Sequence, residues 1–476
     1  MPNIVFVYAY SNACTSVYSQ LAHLSWLPAK PFFMKFVMIA FILLCCISQN
    51  SKAQTSLSNE LDSFLSARFK PNEPGGVVMA SKNGKVIYKK AFGMADLELN
   101  VPVNDSMVFY IGSNTKQFTA VAILQLVEKN KLQLQDTLGK YLPAAPYPVS
   151  NITLAELLSH TAGLTEKNDD VVKKLLANKK PTDSLVKDII PGVKWEYSNT
   201  GFSALGYIIE KVTGMPYKEY IKEYILKPAG MTHSYVDENN AIIKNRADGY
   251  SRNRQGNFNL RPTDIMGAPG GIMSTVDDML KWTEVLKTNI LLKQETLQLA
   301  FTPHKLRNGS PTGYGLGWYL EVLKGSPTRR HGGRTFGYTS ETLYLPQESV
   351  YVIILTNSDF GFFPIRAVTR VVAGLAINKP FIFTDQPIDV KELDKFIGTY
   401  KNHFNEIINI TTEEGKLIFQ RPGGNKYKLD FAGNNEFFFH REIYRLKFTT
   451  DATGKIARLD LSQADMNPMA WIKTQP

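Results

Sequence analysis

Two residues three positions apart, Ser113 and Lys116, have the types and the spacing of a nucleophile and its base. Apolar residues recur every three or four positions from Phe118 to Leu126, which predicts a helix that carries both side chains on one face. A serine hydroxyl needs a nearby base to attack a carbonyl carbon at neutral pH. A lysine becomes such a base where burial or a neighbouring positive charge lowers its pKa. The pair therefore predicts a site for acyl transfer.

The Ser-x-x-Lys pattern is weak by itself. A serine that caps a helix, followed by an exposed lysine, would leave the same pattern. A second copy occurs at Ser184 and Lys187. The hypothesis therefore requires partners elsewhere in the chain: a second proton carrier, polar groups that hold the substrate, and an oxyanion hole.

Tyr197 and Asn199 meet part of this requirement. A tyrosine hydroxyl beside a lysine can relay a proton between nucleophile and leaving group. An asparagine side chain offers both a donor and an acceptor to a polar substrate group. The alternative for Tyr197 is a half-buried loop aromatic, since Tyr-x-Asn also occurs at Tyr10 and Tyr400.

The third element is His331-Gly332-Gly333, at the end of a predicted strand. Glycine permits close approach of the backbone, so Gly333 is expected to line the substrate site. The backbone N–H groups of Ser113 and Arg334 are the expected oxyanion hole. His331 is expected to donate to the substrate or to influence the reacting groups, and a strand-end histidine without a role is the alternative.

In this order, the three elements resemble the serine β-lactamase and penicillin-binding-protein superfamily, in its class C-like branch. Four further stretches are similar to that branch: Leu158-Ser-His-Thr-Ala-Gly-Leu164, Pro191-Gly-Val-Lys-Trp-Glu-Tyr-Ser-Asn199, Ala268-Pro-Gly-Gly-Ile-Met-Ser-Thr275 and Tyr314-Gly-Leu-Gly-Trp318. The resemblance covers roughly residues 57–378 and implies an α+β fold, an antiparallel sheet flanked by helices with an all-α subdomain. It also implies an acyl-enzyme on Ser113, with Lys116 and Tyr197 as the other catalytic residues.

One position departs from that branch, because class C β-lactamases carry lysine where this chain has His331. Histidine is mostly neutral near pH 7, whereas lysine is a fixed positive charge for a substrate carboxylate. The expected enzyme is therefore a peptidase or esterase for a D-amino-acid peptide or ester, with a β-lactamase as the alternative. A non-catalytic penicillin-binding sensor or cell-surface binding protein is the alternative of another class.

The first 53 residues have the pattern of a leader rather than of a folded domain. Met34 and Lys35 precede an apolar run over residues 36–47, and Ser51-Lys52-Ala53 supplies small residues for cleavage. We expect a signal peptide from Met34, the expected true start, to about Ala53. The protein is then periplasmic or secreted and keeps no membrane span, and a retained membrane anchor is the alternative.

The composition favours a globular enzyme over a nucleic-acid-binding protein. Hydrophobic residues make up 44% of the chain, and the net charge of +11 is scattered without a basic cluster. The three cysteines, Cys14, Cys45 and Cys46, all precede the expected cleavage site, so no disulfide is expected. The histidines lack metal-ligand spacing, so neither a metal ion nor another cofactor is expected. His160 is interpreted as a loop or helix-end histidine, and the expected partner is a small peptide, ester or β-lactam.

Beyond residue 53 the chain is predicted to contain two domains. Residues 54–378 form the hydrolase domain, residues 379–390 a linker with two prolines, and residues 391–476 a small all-β domain of short alternating runs. Asn83-Gly84 predicts a β-hairpin and Thr153 to Glu156 a capping box. Residues 314–318 are predicted to start a strand.

Overall fold

The structure, a computed structural model, describes residues 56–165, 168–177, 186–237, 241–253, 255–260, 266–360, 364–439 and 443–475. The expected leader over residues 34–53 lies outside these residues, and so does Ser184 of the second Ser-x-x-Lys pattern. Leu61–Pro476 form one compact unit, and residues 56–60 of the preceding unit are helical. No helix within the described ranges is long and apolar enough to cross a bilayer.

In the first predicted domain, residues 54–378, most helices lie in the middle of the sequence and strands lie toward both ends. The helices are α1 (Thr115–Glu128), α2 (Leu138–Tyr141), α3 (Leu154–Leu158), α4 (Asp169–Leu176), α5 (Asn199–Thr213), α6 (Tyr217–Ile221), α7 (Val276–Val285), α8 (Gln294–Ala300) and α9 (Ile365–Ala376). The strands are β1 (Gly76–Lys82), β2 (Lys85–Phe92), β3 (Met94–Asp96), β4 (Val101–Pro102), β5 (Phe109–Tyr110), β6 (Tyr235–Val236), β7 (Tyr250–Asn253), β8 (Gly256–Asn259), β9 (Ile272–Ser274), β10 (Tyr319–Leu323), β11 (Ser326–Thr335), β12 (Tyr338–Leu345) and β13 (Val350–Thr356).

The central sheet has the order β10-β11-β12-β13-β1-β2, and every neighbouring pair is antiparallel. β1 pairs with β13, so the first strands of the region lie beside its last ones. Asn83 and Gly84 join β1 to β2 with φ angles of 53° and 73°, which a two-residue hairpin turn requires. The predicted α+β fold and the predicted hairpin are both confirmed.

α1 lies in the core with nearly all of its faces covered. Every residue from Thr115 to Leu126 is buried. The apolar spacing accounts for one face only, and polar side chains on the others form internal hydrogen bonds. Thr119 Oγ1 donates to Ala268 O at 2.8 Å, and Gln125 Nε2 donates to Leu291 O at 3.1 Å. The helix that follows Ser113 is therefore fixed from several sides.

Residues 314–318 do not start a strand, so that prediction was wrong. β10 begins at Tyr319. A Cβ atom on Gly315 would lie 2.0 Å from Ala300 O, and Gly317 has a φ of 91°. The two glycines allow a tight bend against α8 and α1 that larger residues would prevent.

A second antiparallel sheet is formed by the C-terminal region. Its strands are β14 (Gly398–Lys401), β15 (Ile407–Glu413), β16 (Lys416–Gln420), β17 (Lys426–Lys428), β18 (Asp430–Gly433), β19 (Glu436–Phe439), β20 (Tyr444–Thr450), β21 (Ile456–Gln463) and β22 (Met469–Gln475). The order is β17-β16-β15-β14-β22-β21-β20-β19-β18. Only Leu429 separates β17 from β18, so the two ends of the sheet come together as in a barrel. The predicted all-β C-terminal region is confirmed.

Candidate active site

Ser113 occupies the turn that leads into α1. Gly112–Asn114 form a single turn of 3-10 helix, and α1 continues from Thr115. Gly112 has a φ of 50°, a left-handed conformation that glycine adopts without strain. Within residues 107–126, all of which are described, Ser113 alone is not buried. The predicted nucleophile is therefore the accessible side chain of an otherwise buried turn and helix.

The side chain of Lys116 reaches back to Ser113. Its Nζ atom lies 3.0 Å from Ser113 Oγ, 2.7 Å from Asn199 Oδ1 and 2.8 Å from Pro269 O. Lys116 is completely buried, and none of these three partners carries a negative charge. Burial therefore lowers the pKa of Lys116 well below its ordinary value.

A neutral Lys116 matches the hydrogen bonds around it. Its two N–H groups donate to Asn199 Oδ1 and to Pro269 O, because both oxygens can only accept. The lone pair on Nζ is then left for the hydroxyl proton of Ser113. This arrangement can remove the proton of Ser113, which is the first step of acyl transfer.

Tyr197 and Asn199, at the start of α5, contact the Ser113–Lys116 pair. The Tyr197 side chain interacts with Ser113, and burial is the main cause that raises the pKa of Tyr197, which favours the protonated phenol. Asn199 is exposed, and Lys116 occupies its Oδ1 atom. Asn199 Nδ2 has no acceptor in the described part of the chain, which leaves it available to a substrate.

Strand β11 contacts the Ser113 turn backbone to backbone. A Cβ atom on Gly333 would lie 1.9 Å from Ile111 O, and one on Gly112 would lie 2.9 Å from Arg334 N. Only glycine fits at these two positions without a shift of the backbone. The two N–H groups expected in the oxyanion hole, those of Ser113 and Arg334, thus belong to segments in direct contact.

A buried polar network ties β12 and β11 to this turn. Ser340 Oγ donates to Ile111 O at 2.7 Å and accepts from Asn114 Nδ2 at 2.8 Å. Thr342 Oγ1 lies 2.8 Å from Asn114 Oδ1 and 3.0 Å from His331 O. Because these groups are buried and hydrogen-bonded, they hold the turn of Ser113 in one position relative to the sheet.

The ring of His331 is buried and bound to protein atoms through both nitrogens. Nδ1 lies 2.6 Å from Gly332 O, a carbonyl oxygen, so Nδ1 donates. Nε2 therefore accepts from the Tyr314 hydroxyl at 2.9 Å. Burial is the main cause that lowers the pKa of His331 to about 3. The ring is neutral at physiological pH and influences the site through the strand that carries it.

The two arginines beside His331 have different surroundings. Arg330 is buried and pairs with Glu321 at 2.7 Å and with Glu341 at 3.2 Å. The side chain of Arg334 is exposed and has no ion-pair partner among the described residues. Of the two, Arg334 is therefore the one that a substrate carboxylate could reach.

No set of three or more metal-ligating side chains occurs in the described ranges.

Three contributors to the site were not identified from the sequence. Pro269 supplies a carbonyl oxygen to Lys116, and Tyr314 supplies a hydroxyl to His331 of β11. The ring of His160 packs against that of Tyr197 in a tilted arrangement, with 4.3 Å between the ring centroids. All three lie in the stretches that resemble the superfamily, and similarity was the only signal, because these contacts follow no local spacing.

Sequence comparison relates this arrangement to known proteins. The sequence model of the family described as Beta-lactamase matches residues 61–375, and that of a domain of unknown function, DUF3471, matches residues 384–473. Penicillin-binding protein 4* of Bacillus subtilis (strain 168) is 27% identical over 412 residues, which cover 79% of this chain and 90% of that protein.

Two solved structures are similar to the chain in three dimensions. The octameric penicillin-binding protein homologue from Pyrococcus abyssi has a TM-score of 0.62 at 23% identity. The match covers 87% of this chain and 99% of the homologue's chain. A D-stereospecific amidohydrolase from Streptomyces sp. has a TM-score of 0.52 at 26% identity. The match covers 61% of this chain and 91% of the amidohydrolase chain.

Proposed function

The chain belongs to the Beta-lactamase family, and from this premise we propose that it is an exported serine hydrolase that acts on a D-amino-acid peptide or ester. One observation carries the proposal: the buried Lys116 Nζ lies 3.0 Å from Ser113 Oγ and has no anionic partner among the described residues. A lysine in this state is a base, whereas an ion-paired lysine would remain protonated.

In acylation, Lys116 Nζ takes the hydroxyl proton of Ser113 while Ser113 Oγ attacks the substrate carbonyl carbon. The backbone N–H groups of Ser113 and Arg334 stabilise the negative charge that develops on the carbonyl oxygen. Tyr197 donates its proton to the leaving nitrogen or oxygen as the bond to the carbonyl carbon breaks. The proton held by Lys116 then returns to Tyr197.

In deacylation, a water molecule attacks the ester carbon of the acylated Ser113. Lys116 accepts a proton from this water, and the bond between Ser113 Oγ and the acyl carbon breaks. Ser113 Oγ recovers a proton from Lys116, so the acid product leaves and the site returns to its starting state.

The substrate class is inferred from the charge of the site and from similar proteins. The ring of His331 is neutral, and both of its nitrogens are hydrogen-bonded to protein atoms. It therefore offers no fixed positive charge at the position where class C β-lactamases carry lysine. This supports a peptidase or esterase over a strong β-lactamase. The similarity to a protein described as a D-stereospecific amidohydrolase supports a substrate of D configuration. Asn199 Nδ2 is proposed to bind its polar acyl portion.

Export is proposed from the leader pattern of residues 34–53 alone. A charged start, a short apolar run and small residues before the cleavage position are features of secretory signal peptides. Cleavage near Ala53 would release the enzyme into the periplasm or the medium.

The test is a substrate panel of p-nitrophenyl esters, D-alanyl peptides and nitrocefin, with Ser113→Ala as the matched variant. We expect the wild type to hydrolyse the esters and D-alanyl peptides, to act weakly on nitrocefin, and to carry an acyl group on Ser113 by mass spectrometry. Ser113→Ala should do none of these. A wild type that reacts with no substrate and is not labelled by a fluorophosphonate would instead be a non-catalytic binding protein. Nitrocefin as the best substrate would identify a β-lactamase.

A further inference from the structure

His160 lies at the end of α3, where the backbone conformation normally favours glycine. His160 N donates to Leu157 O at 3.4 Å, and Thr161 N donates to Glu156 O at 2.9 Å. This pair of bonds places the residue after the helix cap in the left-handed region, and the φ of His160 is 59°. Glycine adopts this conformation without strain, and asparagine tolerates it. The turn accommodates a histidine but does not by itself require one.

His160 binds the backbone on both sides of Tyr197. Glu196 N donates to His160 O at 2.8 Å, and Ser198 N donates to His160 Nδ1 at 3.1 Å. Between these two bonds, the ring of His160 packs against Tyr197 at a tilt, with 4.3 Å between centroids and 36° between planes. One residue thus contacts Tyr197 itself and both of its chain neighbours.

The surroundings of His160 preserve the protonation state that this contact requires. Nδ1 can accept from Ser198 only while the ring proton is on Nε2. Nε2 is buried and has no acceptor among the described residues, and the rings of Phe202 and Tyr314 lie close by. Burial is the main cause that lowers the pKa of His160 well below its ordinary value. The ring therefore stays neutral and Nδ1 stays an acceptor.

We propose that His160 is a positioning residue that holds the Tyr197 hydroxyl against Ser113, where it can protonate the leaving group. The inference rests on the proposed acyl-transfer function. His160 itself does not touch the reacting atoms, so its removal should matter only where the leaving group needs a proton. An amine must be protonated to leave, whereas p-nitrophenolate leaves as a stable anion.

Two variants separate the ring from the turn. His160→Gly keeps the left-handed turn and removes the ring, and His160→Asn tolerates the same φ and supplies an acceptor oxygen near the position of Nδ1. We expect His160→Gly to lower kcat on a D-alanyl amide about 100-fold with little change in KM, and to hydrolyse p-nitrophenyl acetate at nearly the wild-type rate. His160→Asn should recover most of the lost amide activity.

A double-mutant cycle tests whether His160 acts through Tyr197. Once Tyr197→Phe has removed the hydroxyl, adding His160→Gly should lower kcat on the amide no further. Circular dichroism and fluorophosphonate labelling of Ser113 confirm the fold and the nucleophile of each variant.

Three results would overturn the inference: additive losses in the cycle, equal losses on amide and ester, or a glycine variant as active as the wild type. The last of these, with an active wild type, would leave the proposed function intact. A wild type inactive on both substrates would overturn the proposed function and this inference together.

Discussion

The Nζ atom of Lys116 lies 2.7 Å from the side-chain amide oxygen of Asn199, and an amide cannot neutralise an ammonium group. A carboxylate at the same distance would keep Lys116 protonated. The choice of asparagine therefore bears directly on whether the lysine can act as a base, and it can be tested by changing one atom of the side chain.

Asn199→Asp should give Lys116 an anionic partner and raise the pKa of Lys116. Because the base must be neutral, we expect the acid limb of the kcat/KM profile to move to higher pH by about one unit or more, with about a tenfold loss at pH 7. The measurement is kcat/KM for p-nitrophenyl acetate across the pH range. Asn199→Ala is the matched control, since it removes the amide without adding charge and should leave the acid limb in place. An unmoved limb in the aspartate variant would contradict the assignment.

Lys116→Arg should abolish acylation at every accessible pH. A guanidinium group stays protonated in proteins, so it cannot take the proton of Ser113. We expect kcat/KM to fall by about 100-fold or more. Lys222→Arg makes the same change at an exposed position and should have no effect. Comparable rates for the wild type and Lys116→Arg would exclude Lys116 as the base.

The stability of the protein should depend on pH through Lys116. Between the lowered pKa of the folded state and its ordinary value of 10.5, the unfolded chain binds a proton that the folded chain lacks. Stability therefore rises with pH across this window. Lys116→Met has no titrating group at this position. The free energy of unfolding of the wild type should therefore rise relative to that of Lys116→Met as the pH increases toward 10.5. Urea unfolding of both proteins at matched pH measures the difference, and a difference independent of pH would refute the prediction.

Gly112→Ala should disturb the oxyanion hole, whereas Gly230→Ala should not. Both glycines are left-handed, with φ angles of 50° and 67°, so each alanine adds about 1 kcal/mol of backbone strain. A Cβ atom on Gly230 meets nothing within 4 Å, but one on Gly112 would lie 2.9 Å from Arg334 N. We expect Gly112→Ala alone to lower kcat about tenfold or more, because the two N–H donors separate. Paired melting curves and ester kinetics of the two variants provide the comparison, and equal kcat values would count against Arg334 as a donor.

Local signals were read correctly from the sequence because a few consecutive residues define each of them. The Asn83-Gly84 turn and the capping box at Thr153 are two such cases. In that box, Glu156 N donates to Thr153 Oγ1 at 3.2 Å, and Thr153 N donates to Glu156 Oε2 at 2.9 Å. The spacing of Ser113 and Lys116 is equally local, since one helical turn brings their side chains together.

Contacts between distant segments could not be read in this way. Pro269 lies 153 positions from Lys116, and nothing in its own neighbourhood indicates that its carbonyl oxygen accepts from a lysine. The two bonds from His160 to the neighbours of Tyr197 likewise arise only when α3 packs against the start of α5. The bend at Gly315 differs from the predicted strand because it depends on the backbone of α8, which excludes a side chain there and lies elsewhere in the sequence.

The sequence by itself determined which chemical groups are present, their order along the chain, and which of them share one turn of a helix. Only the tertiary structure decided that burial lowers the pKa of Lys116, that burial raises the pKa of Tyr197, and that both ring nitrogens of His331 are hydrogen-bonded. A pKa depends on burial and on neighbouring charges. In this site both come from segments that meet only when the helices pack against the sheet.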